Sequence, residues 1–124
     1  MDIVEYVHRF LTSGTFSILL ETTVVFALLR LVFKSQAIST RKIIFTGFLA
    51  TFATIPYVWF VFPIFFGNNA VWVSEPFAFL LEATLYRYVL GTSWRVSVTL
   101  SFAANVASFF GGPLLRMYGL WVYW

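Results

Sequence analysis

Cysteine is absent from the 124-residue chain, and histidine occurs once, as His8. Disulfides, thiolate nucleophiles, iron–sulfur clusters and cysteine-based zinc sites are therefore excluded. His8 has no second histidine or thiol to join it around a metal, so it reads as a solvated residue. Charge is scarce too: Asp, Glu, Lys and Arg make up 10% of the chain, against roughly 25% in ordinary soluble domains. The few basic residues form no stripe with interleaved aromatics, which argues against a nucleic-acid partner. Also missing are a Gly-rich phosphate loop, a paired-histidine zinc motif and a nucleophile elbow. A Ser–His–Asp arrangement would have to use His8 and Asp2, at a frayed end. The expectation is a protein that is not an enzyme, with no catalytic residue, no metal site and no cofactor.

Apolar residues fill the space that charge leaves. The chain is 60% hydrophobic and 22% aromatic, with 16 Phe and 5 Trp, more than one water-soluble core of this length can easily bury. The lipid bilayer is the solvent that suits it. Crossing about 30 Å of hydrocarbon takes roughly 20 apolar residues as helix. Four runs qualify, near 15–33, 43–66, 76–92, and 96–112 or longer, separated by short polar connections. The segment MDIVEYVHRF carries two acids and lacks the basic-then-apolar order of a cleavable signal, so the first run is expected to stay as a span. The expected fold is an all-α integral membrane protein, a four-transmembrane-helix bundle forming a single domain over 1–124.

Orientation follows from the basic residues. Arg30, Lys34, Arg41, Lys42, Arg87 and Arg95 flank the first and third connections, while Arg9 and Arg116 fall on the other side, six against two. The positive-inside rule then puts both termini outside. Trp59, Trp72, Trp121 and Trp124 map to the outer interface and Trp94 to the inner one, where indole suits the headgroup level. Short interfacial segments are expected at both ends. Residues 2–11 read as an amphipathic helix with Ile3, Val7, Phe10 and Leu11 on one face. At the other end Gly111, Gly112 and Pro113 interrupt the fourth run, so that helix either kinks there or stops.

The halves of the chain resemble one another. LLETTVVFALLR (19–30) aligns with LLEATLYRYVLG (80–91), and FLATFAT (48–54) with FAANVAS (102–108). Thr51 then corresponds to Asn105 and Thr54 to Ser108. The matches are short enough for coincidence; as a true repeat they make two parallel helical hairpins related by an axis along the membrane normal.

This alignment bears on two acids lodged in hydrocarbon. At about 1.5 Å per residue, Glu82 lies on the order of 15 Å from the cytoplasmic end of its span, and Glu21 slightly deeper. Asn105, Thr51 and Thr54 reach a similar depth, roughly 12–16 Å in. Small and polar stripes (Ser97, Ser101, Ala104, Asn105, Ser108 and Gly112 on the fourth run) should face inward. A charge at mid-helix costs about 2.5–3.5 kcal/mol on insertion scales, so two carboxylates need partners, protons or a watery path. The candidate ion- or substrate-binding residues are Glu21, Glu82, Thr51, Thr54, Asn105 and Ser108, with Arg30 and Arg87 as candidate charge partners. Two functions fit. One is an oligomeric transporter or channel for protons, cations or a small cationic solute; the other is an accessory, assembly or stabilising subunit of a larger membrane complex. The partners expected are the lipid bilayer and either further copies or other membrane subunits.

Overall fold

The computed structural model describes residues 1–118; Trp121 and Trp124 lie outside the described residues. The described residues form helices joined by short connections, with no strand among them. The long elements are α1 (Ile3–Ala27), α2 (Thr40–Pro56), α4 (Ala70–Val89) and α5 (Trp94–Met117), with a short α3 (Phe62–Phe66) between α2 and α4. A π-helical turn, Leu28–Val32, extends α1, and another, Tyr57–Val61, joins α2 to α3. Three helical runs are long and apolar enough to cross a membrane: Ile3–Val32, Thr40–Val89 and Trp94–Met117. The middle run reverses on itself. Gly67 has φ +52° and ψ −127°, which side chains resist, and beyond it α4 returns along α2.

α1 departs from the expected short interfacial helix over 2–11, because it runs unbroken through Gly14. Its first turns have a tertiary partner instead. The Tyr6 ring lies 5.5 Å from Trp59 and the Phe10 ring 4.7 Å from Phe60, centroid to centroid. The Tyr6 hydroxyl donates to the Trp59 carbonyl, whose usual helical donor four residues on is Pro63, which has no N–H. α5 likewise continues through Gly111–Pro113 to Met117, which settles the choice between stopping and continuing. A Cβ on Gly111 would lie 2.9 Å from Leu20 Cδ2, so the glycine lets α1 approach.

Each long helix packs on two others: α1 on α2 and α5, and α4 on the same pair. The order around the bundle is therefore α1, α2, α4, α5. Side chains are sorted opposite to a soluble bundle. Phe48, Phe52, Leu80, Phe102 and Phe110 are exposed, whereas Thr51, Thr54, Glu82, Ser97 and Ser101 are buried. The outer face of α5 also carries Thr99, whose hydroxyl donates back to the Arg95 carbonyl at 2.8 Å. One end of the bundle is filled by Val25, Leu29, Ile43, Ala50, Tyr86, Leu90, Leu100 and Ala104. Ser39 and Ser93 cap α2 and α5 at that end, each accepting from the backbone N–H three residues on at 3.2 Å.

Candidate functional site

Glu21 and Glu82 project from α1 and α4 toward the bundle centre and are 4% and 1% exposed. Three side chains on the two intervening helices supply their hydrogen bonds. From α2, the Thr51 hydroxyl donates to Glu21 Oε2 at 2.6 Å and the Thr54 hydroxyl to Glu82 Oε1 at 3.0 Å. From α5, Asn105 Nδ2 donates to Glu82 Oε2 at 2.7 Å, and Ser108 lines the same cavity with its hydroxyl donating to the Asn105 carbonyl at 3.2 Å. A three-residue spacing along one helix face brings Thr51 and Thr54, and likewise Asn105 and Ser108, to the same layer. All six candidate binding residues meet there.

The two acids are not held alike. Glu21 accepts from Thr51 of α2, whereas Glu82 accepts from both Thr54 of α2 and Asn105 of α5. Ser108, the residue aligned with Thr54, donates to the Asn105 carbonyl instead.

Above the carboxylates lies a partly open cavity of about 510 Å³, running toward the end of the bundle that holds the Gly67 turn. Its polar wall comprises Glu21, Glu82, Thr51, Thr54, Asn105 and Ser108, together with Ser13, Ser17 and Glu75. Glu75 is not among the six candidates named from the sequence. It sits beside Pro76, where the apolar run was expected to begin, yet α4 starts earlier, at Ala70. The seven-residue step from Glu75 to Glu82, two helical turns, was the signal that could have found it. A second cavity, about 560 Å³, lies at the opposite end between the 33–38 and 90–93 connections. The apolar cluster separates the two.

The arginines are placed elsewhere, which corrects their assignment as charge partners. Arg30 donates to the Ser35 carbonyl, to the Ile38 carbonyl at 2.6 Å and to the Thr40 hydroxyl at 3.2 Å. It stitches the first connection because the π-turn leaves it beside that loop. The Arg87 guanidinium lies 6.0 Å from the ring centroids of both Tyr88 and Trp94, on the outer side of α4. Among the described residues the one ion pair is the exposed Arg9–Glu5 contact at 2.8 Å. Neutral donors alone therefore face the carboxylates. None of the acids, with His8, clusters closely enough to hold a metal among the described residues.

Known protein families, curated proteins and solved structures yield no match to this chain. Function must be argued from the site itself. Carboxylates with hydrogen-bond donors but no cation of their own are receptors for positive charge, either a proton or a cationic ligand.

Proposed function

We propose that the chain is a four-span integral membrane protein that binds and passes protons, cations or a small cationic solute through its paired carboxylates. The middle helical run supplies two of the spans, both termini lie outside the cytoplasm, and the two hairpins are an internal repeat. The observation that carries this reading is the carboxylate layer: two buried acids, Glu21 held by Thr51 and Glu82 by Thr54 and Asn105, at the floor of a cavity. An intramembrane acid facing a cavity marks a pathway more readily than a lipid contact. The apolar cluster beneath it acts as the closed barrier, so passage requires that cluster to rearrange. Four short helices enclose little room for that, and a second copy in the membrane supplies the flexible boundary.

A second reading keeps one specific observation in its favour. The acids of α1 and α4 are tied to donors on the neighbouring helices, as in an interhelical staple, which suits a stabilising subunit of a larger complex.

Flux in proteoliposomes separates the two. On the transport reading, protons or alkali cations cross liposomes bearing the parent protein. Glu21→Gln and Glu82→Gln then abolish the flux while thermal stability is unchanged. No flux in the parent, with lowered stability in both variants, overturns transport in favour of the staple. Orientation is checked with reporters: one after Trp124 should be extracytoplasmic and one within residues 34–39 cytoplasmic.

A further inference from the structure

The cavity has a shape and a wall that no bare ion needs. Its volume of about 510 Å³ equals on the order of 17 liquid waters at about 30 Å³ each, within the range of small-molecule pockets. Away from the acids the wall is apolar and aromatic, with Val58, Trp59, Val71, Phe109 and Phe110. A compact metal ion is a poor occupant, because the acids do not cluster as metal ligands among the described residues.

The acids at the floor are backed by the apolar cluster, in which Tyr86 is fully buried one turn beneath Glu82. Among the described residues no cationic side chain lines the cavity, so a charge that balances the carboxylates has to enter from outside.

We propose that this cavity binds a monovalent organic cation with an apolar body, its ammonium centre held between Glu21 and Glu82 and its body against Trp59 and Phe109. Aromatic faces attract a cation as well as its hydrocarbon. Glu75, nearer the mouth, draws the cation in before it reaches the floor. The proposal rests on the carboxylate layer being a ligand site, but it requires equilibrium binding and not flux.

The test uses the full chain in phosphatidylcholine nanodiscs, titrated calorimetrically with phenethylammonium, its uncharged counterpart 2-phenylethanol, and potassium ion. Phenethylammonium should bind once per chain and saturably, at least tenfold more tightly than 2-phenylethanol, with potassium failing to displace it. Glu21→Gln and Glu82→Gln should each weaken it at least tenfold. Ser17→Leu narrows the cavity without touching a carboxylate and should also weaken phenethylammonium, which keeps the test decisive if a Gln variant fails to fold. Equal binding of the amine and the alcohol overturns the proposal, as does unchanged binding in both the Glu82→Gln and Ser17→Leu proteins. Potassium displacing the amine also overturns it while leaving the flux reading intact. Amine binding without flux in the parent sustains this proposal and removes transport.

Discussion

The half built of α1 and α2 and the half built of α4 and α5 put matching side chains at matching depth. Ser13 and Ser74 are buried toward one end, Glu21 and Glu82 in the middle, and Leu29 and Leu90 toward the other. Ala50 pairs with Ala104 and Thr54 with Ser108 in the same way, all of them buried. Three differences bear on polarity inside the bundle. Gly14 stands where the second half has Glu75, Val25 where it has Tyr86, and Thr51 where it has Asn105. At these three positions the second half is the more polar one. Both halves thus bring one acid to the carboxylate layer, and the second half adds Glu75 and Asn105 to the wall of the cavity.

The sharpest way to break this comparison is to remove one donor from each half. Thr51→Val deletes the 2.6 Å bond to Glu21, and Asn105→Leu deletes the 2.7 Å bond to Glu82. Each should cost about 1–3 kcal/mol, the range for leaving a buried polar group without its partner, measured by reversible denaturation in mixed micelles. If the halves are equivalent, the two losses agree within about 1 kcal/mol. A silent Thr51→Val beside a severe Asn105→Leu would show that only the second half holds its acid in place.

Much of this layer was legible in the sequence, because depth and facing follow from helix geometry alone. Glu82, Thr54, Asn105 and Ser108 could be placed together by counting residues from the ends of the apolar runs. What could not be read were features decided by tertiary partners. Gly14 looked like a boundary between an interfacial segment and a span, but the ring contacts of Tyr6 and Phe10 with Trp59 and Phe60 extend α1 across it. Arg30 looked like a partner for the acids until a π-turn carried it to the carbonyls of its own loop. Neither π-turn has a composition that announces it.

Gly47 and Ser101 form a second test, of how closely each pair of helices packs. A Cβ on Gly47 would lie 2.8 Å from Thr22 Oγ1 and 3.1 Å from Thr22 Cα, and the latter cannot swing away. Gly47→Ala should therefore force α1 and α2 apart and cost about 1–3 kcal/mol. Ser101, its counterpart, donates to the Phe79 carbonyl at 2.7 Å across the α4–α5 contact. Ser101→Ala removes that bond without adding bulk and should cost about 1 kcal/mol. Equal costs would mean that the first pair is not more tightly apposed than the second.

The smallest expected effect has the opposite sign. Gly14 lies inside α1 and is buried, yet a Cβ there would meet only Ile55 Cδ1 at 3.6 Å and Cγ2 at 3.8 Å, ordinary van der Waals contact. Glycine in a helix interior costs about 0.5–1 kcal/mol relative to alanine through backbone entropy. Gly14→Ala should therefore stabilise the protein by roughly that amount in the same denaturation assay. The added methyl also gains contact with α2. Loss of stability would show that α1 needs flexibility at Gly14, where α4 carries Glu75, and that the mouth of the cavity is shaped by bending in one half and by charge in the other. A gain would mean that Gly14 is merely small, and that the asymmetry between the halves at the mouth rests on the carboxylate of Glu75 alone.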